Sequence, residues 1–107
     1  MAYSSNAAEV LDALGDPTRR AVLELLRDGP RAVVDIASEL PVSRPAVSQH
    51  LRVLKGAGLV TERKDGARRL YRVDPDGLAA LRTYLEGFWS DALTAFKGAV
   101  DEEGDPR

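Results

Sequence analysis

Asp65-Gly66 stands between two β-prone runs, "LVTERK" and "ARRLYRV". An aspartate–glycine pair in that setting is the strongest short signal for a tight β-hairpin. The residues before "LVTERK" read as helices and turns, and a long helical pattern begins at Pro75. The chain must therefore build one small hairpin into a helical frame.

The helices come with their own stops. In "AAEVLDAL", Ala7, Val10, Leu11 and Leu14 share one stripe, which predicts a short first helix ended by Gly15. Asp16-Pro17 opens a second, with aspartate at the cap and proline at the first helical position, where its missing N–H costs nothing. Ala21, Val22, Leu25 and Leu26 form its inner side, and Gly29-Pro30 closes it. "VVDIASEL" predicts a short third helix with Ile36, Ala37 and Leu40 inward. "PVS" is a turn, and Ser43 caps a fourth helix that tolerates Pro45 in its first turn. In the last helix Leu78, Leu81, Leu85, Phe88, Ala92 and Phe96 step by three and four, with Trp89 and Leu93 widening the stripe.

The fourth helix carries the functional signal. Val47, Leu51 and Leu54 recur at i, i+4 and i+7, so one face belongs in a core. The other face offers Pro45, Ser48, Gln49 and Arg52, and no acidic residue occurs from Val42 to Thr61. Such a face supplies hydrogen bonds and positive charge only, which suits a DNA major groove about 12 Å wide. Ser43, Ala46 and Ser48 are small enough for close approach. Gln49 can bond bidentate to adenine, and Arg44 or Arg52 can fork onto guanine or grip a phosphate. The hairpin tip gathers Arg63, Lys64, Arg68 and Arg69, which suits backbone or minor-groove contact. We assign base reading mainly to the helix and phosphate contact mainly to the hairpin, with Arg68 as its test residue. His50 is the single histidine. It reads either as a packed or hydrogen-bonded group orienting the helix or as a further DNA contact.

Net charge is −2, the wrong sign for a polyanion partner. The distribution resolves this: Gly15 to Arg72 holds 12 basic against 7 acidic residues, while both ends are acidic. Local charge, not the total, governs attraction to DNA. Helix–helix–short helix–turn–helix–hairpin–helix with a basic middle is a winged helix-turn-helix order, mainly α with a small β-hairpin (α-α-α-α-β-β-α). We place that domain at residues 1–99, with 100–107, including Asp101, Glu102, Glu103 and Asp105, as an acidic solvated tail.

Other classes fit poorly. No nucleophile–base pair, phosphate loop or metal-ligand spacing is visible, so neither an enzyme nor a cofactor is expected. There is no cysteine, which removes thiolate metal sites. The sequence shows neither a membrane span nor a signal peptide, and a cytoplasmic protein is expected.

"ALGDPTRRAVLELL", "VVDIASELPVSRPAVSQHLRVLKGAGLV" and "ERKDGARRLYRV" resemble the arsenic-repressor (ArsR) family of bacterial winged-helix transcription regulators. The likeness covers roughly Val10 to Leu85. It implies a homodimer built on the first and last helices that occupies a pseudo-palindromic operator and represses transcription. It also implies that Val10, Leu14, Leu81, Leu85, Phe88 and Trp89 include the dimer contacts. The family's metal sensors carry cysteines where this chain has "VVDIAS", or Asp and His pairs on a last helix that has no histidine here. The chain is more similar to the metal-independent branch, whose members often repress their own operon. Pro41 stands where the turn usually has glycine. Two rivals follow: an effector-responsive repressor with a pocket near Phe88 or Trp89, and a winged-helix module for protein–protein contact.

Overall fold

The computed structural model describes residues 2–103, with side chains from Ala7 to Glu102. The elements are α1 (Ala2–Ala13), α2 (Pro17–Leu25), β1 (Arg31–Ala32), α3 (Val33–Ala37), α4 (Arg44–Gly56), β2 (Val60–Asp65), β3 (Arg68–Val73) and α5 (Pro75–Glu103). The predicted helices and hairpin are all present, with three differences. The third helix ends at Ala37, three residues before Leu40. The helix of Pro75 runs through Glu103, so the expected tail boundary at residue 100 falls inside α5. The rest of that expected tail, residues 104–107, lies outside the described residues. Finally, Arg31 and Ala32 pair antiparallel with Tyr71 and Leu70, which makes the hairpin a three-stranded sheet of order β1-β3-β2.

Local chemistry explains the ends. The Asp16 carboxylate accepts from the Arg19 amide at 3.0 Å and Ser43 Oγ from the Ala46 amide at 3.2 Å, each satisfying an amide the helix leaves free. Gly66 takes φ 64° in the hairpin turn, a left-handed conformation that an L side chain resists. The turn into α4 contains no residue with positive φ, which is why Pro41 can stand there.

One core unites the elements. Val10, Val22, Leu26, Ile36, Val47, Leu51, Leu54, Leu59 and Val60 are buried together. Val47, Leu51 and Leu54 face into it as their spacing predicts, and each such leucine contributes about 2–3 kcal/mol by leaving water. Val10 corrects an expectation: at 1% exposure it packs in the chain's own core and cannot touch a second subunit. Its neighbour Leu11, 43% exposed, takes the outward position on α1. Leu14 and Leu81 are half-buried against the same core. By contrast Leu85, Phe88 and Trp89 are 50%, 64% and 66% exposed, and the apolar stripe continues outward through Leu93 and Phe96. Phe88 and Trp89 are therefore not core residues, and much of α5's apolar face has no partner among the described residues.

Candidate nucleic-acid interface

Burial of Val47, Leu51 and Leu54 turns Arg44, Pro45, Gln49 and Arg52 outward, and Ser43 is exposed beside them. Ala46, Ser48 and His50 sit at the margins, half-buried. The Arg52 guanidinium donates to Oε1 of Gln49, so the two act as one unit. The pair presents the Gln49 amide hydrogens and the remaining Arg52 donors. Such a donor array matches the N7 and O6 acceptors of guanine.

His50 is turned away from this array. Its Nδ1 lies 3.4 Å from Nη1 of Arg19, whose Nε donates to the Ala13 carbonyl at 2.7 Å. A guanidinium can only donate, so in this contact Nδ1 is the group positioned to accept. The guanidinium thereby ties the end of α1 and the start of α2 to the middle of α4. Of the two readings of His50, the contact with Arg19 is the one that the orienting reading calls for.

The backbone amide of Arg19 holds the Asp16 carboxyl below its ordinary value of 3.8. A depressed carboxyl stabilises the fold above its unfolded value and loses that contribution as pH falls through the folded one. Asp16→Asn keeps the cap and removes the charge. Its melting temperature is expected to lie below the parent's near neutrality, with the gap closing as the pH falls through and below the ordinary carboxyl value of 3.8. A gap independent of pH in a thermal-melt series would show that the charge has no part in it.

The register of β2 on β3 sorts the wing. Lys64 stands opposite Arg69, Asp65 opposite Arg68, and Arg63 opposite Leu70. Arg69 pairs with Glu62 at 2.8 Å, and Arg68 lies 3.8 Å from both Asp65 and Asp35. Arg63 and Lys64 have no carboxylate within 4.0 Å among the described residues, so they are the readiest phosphate ligands of the wing. Sequence reasoning chose Arg68 as the test residue; the ion pairs move that choice to Arg63.

Sequence reasoning missed Glu62 and Tyr71. Between α4 and the wing runs a cleft lined by Ser48, Leu51, Arg52, Lys55, Glu62 and Tyr71. The neighbouring Tyr71 hydroxyl, then the charges of Lys55 and Arg69, hold the Glu62 carboxyl below the usual range. Burial, then the Glu62 carboxylate beside it, pushes the Tyr71 phenol up. Alternation along β2 puts Glu62 on the face of Val60, but only the paired strand and α4 reveal its partners.

Comparison with known proteins agrees with this architecture. The family model for bacterial regulatory proteins of the arsR family matches residues 16–62, from the cap of α2 into β2. The chain is 60% identical over 93 residues to the HTH-type transcriptional regulator Rv2034 of Mycobacterium tuberculosis, covering 87% of each. An ArsR-like transcriptional regulator from Rhodococcus superposes with a TM-score of 0.77 at 32% identity, covering 92% of this chain and 96% of that one. A homodimeric winged helix-turn-helix DNA-binding domain from Mycobacterium bovis superposes with a TM-score of 0.68 at 33% identity, over 86% and 85% of the two chains. By sequence and by fold, this chain belongs to the ArsR family of winged helix-turn-helix transcription regulators.

Proposed function

We propose that this regulator is a repressor which binds a pseudo-palindromic operator as a homodimer, its own promoter among the targets. It works without a thiolate metal site. The observation that carries the reading is the acid-free outer face of α4, with Arg44, Gln49 and Arg52 exposed beside a basic wing. The homodimeric state of the Mycobacterium bovis domain and the uncovered apolar stripe of α5 support pairing. Two-fold symmetry would set the two α4 helices about one turn of DNA apart, near 34–36 Å. A dimer so seated occludes those base pairs from other proteins, which favours repression. The chain has no cysteine, and its one histidine faces Arg19, which favours the metal-independent branch.

Fluorescence anisotropy with duplex DNA from upstream of the protein's own gene tests this, with a scrambled duplex alongside at several salt concentrations. Binding at least about 10³-fold tighter to the native duplex is expected. Equal, steeply salt-dependent binding to both would remove autoregulation. Within this assay Gln49→Ala should cost about 1–3 kcal/mol on the operator and relax its sequence preference. Arg63→Ala should weaken binding to every duplex and flatten the salt dependence by about one unit. Identical behaviour of the two variants would refute the division between helix and wing.

A further inference from the structure

Among the residues lining the cleft between α4 and the wing, Glu62 alone carries negative charge. Its Oε2 accepts from Nη1 of Arg69 at 2.8 Å and lies 3.6 Å from Nζ of Lys55. The Glu62 side chain is 18% exposed, whereas those of Lys55 and Arg69 are 53% and 58% exposed. One anchored carboxylate thus holds two outward cations, from two different elements, on the side where phosphate would approach. We infer that Glu62 is a specificity-determining residue: it keeps Lys55 and Arg69 in internal ion pairs and so restrains binding to DNA of arbitrary sequence. The inference rests on the DNA-binding reading above.

The two kinds of complex respond differently to that restraint. Non-specific binding is almost wholly phosphate neutralisation by Lys and Arg. In such a loose complex each freed side chain can settle on its nearest phosphate. An operator complex is held in register by base contacts from α4, so a freed side chain gains only what that register allows. Releasing Lys55 and Arg69 therefore helps the wrong DNA more than the right DNA. The two cations beside it favour the ionised form of Glu62, so the restraint is present under ordinary conditions.

Glu62→Gln keeps the shape and a carbonyl acceptor while removing the charge. Anisotropy titrations of the intact protein against scrambled and operator duplexes, each at several salt concentrations, measure its effect. Affinity for scrambled duplex should rise on the order of tenfold at low salt, with a salt dependence steeper by about one to two units, as for one or two added phosphate contacts. Operator affinity should rise less, so the ratio of the two falls. Asp28→Asn, which makes the same charge change on an exposed residue outside the cleft, should leave the salt dependence unaltered. Adding Lys55→Gln and Arg69→Gln to the Glu62 variant should abolish the gain.

Three outcomes would overturn the inference. An effect no larger than that of Asp28→Asn would reduce Glu62 to general surface charge. Equal loss of affinity for both duplexes, with the melting temperature retained, would make it a support for the wing's angle. Failure of the parent protein to bind any duplex at low salt would remove the DNA-binding reading itself, and the inference with it.

Discussion

Gly77→Ala is expected to lower the melting temperature by on the order of 10–20 °C, the larger of the stability effects we predict. A Cβ at this position would overlap the Gly58 carbonyl oxygen and lie 2.7 Å from its carbon. The Leu59 Cα would be 3.2 Å away. All three atoms are backbone, so no side chain can swing aside. Two further bonds fix the segment they belong to: the Leu59 amide donates to the Leu54 carbonyl at 2.9 Å, and the Asp74 amide donates to the Leu59 carbonyl at 2.8 Å. The start of α5 therefore rests directly on the link between α4 and β2. Alanine is the better helix former by about 1 kcal/mol, which acts in the opposite direction. Forcing a methyl into a closed contact costs about 1–3 kcal/mol and sometimes more, and a backbone contact this short belongs at or above the top of that range. The clash wins. Differential scanning calorimetry would decide, and an unchanged or higher melting temperature would mean that α5 does not stand on the loop after α4.

Nothing about Gly77 stands out in "DPDGLAAL", because a glycine in a helix's first turn is unremarkable until one knows what passes beside it. The same divide runs through the whole molecule. Features carried by one element were legible: the 3.6-residue spacing of Val47, Leu51 and Leu54, the Asp16 and Ser43 caps, and the Asp65-Gly66 turn. Features that need a second element were not. Two residues, Arg31 and Ala32, are too few to show a strand's alternation and become one only by pairing with β3. Val10 and Leu11 read alike on a helical stripe, and only the packing of α1 decides which turns inward. The Arg19–His50 contact spans 31 positions in the chain, beyond any local pattern. The basic residues of the wing were found as a group, while their ion pairs, and hence which of them stay free for phosphate, came only with Glu62, Asp35 and Asp65 in place.

Leu85→Asp is expected to have the largest effect on function, converting the proposed dimer to monomers. Leu85 is half exposed on α5, and Phe88, Trp89, Leu93 and Phe96 extend the same apolar stripe along a helix of 29 residues. Patches of this kind mark an interaction surface, and in the proposed dimer a second copy of the helix would cover it with matching chemistry. A carboxylate placed there must either lose its water or hold the surfaces apart, and symmetry applies the penalty from both subunits. Burying an unpaired charge costs several kcal/mol, so the dissociation constant of the dimer should rise by at least about 10³. Each α4 would then meet its half-site alone. Loss of the tethering that makes the second half-site encounter intramolecular should weaken operator binding by about 10²–10⁴. The fold itself should survive, because Leu85 makes no part of the buried core. Sedimentation velocity separates these effects from unfolding, with circular dichroism melting as the check on structure. Trp89, the only tryptophan, gives a second readout, since its emission should shift to the red when a covering subunit departs. A sedimentation profile and tryptophan spectrum identical to the parent's would take Leu85 out of the interface and return the α5 stripe to the search for another partner.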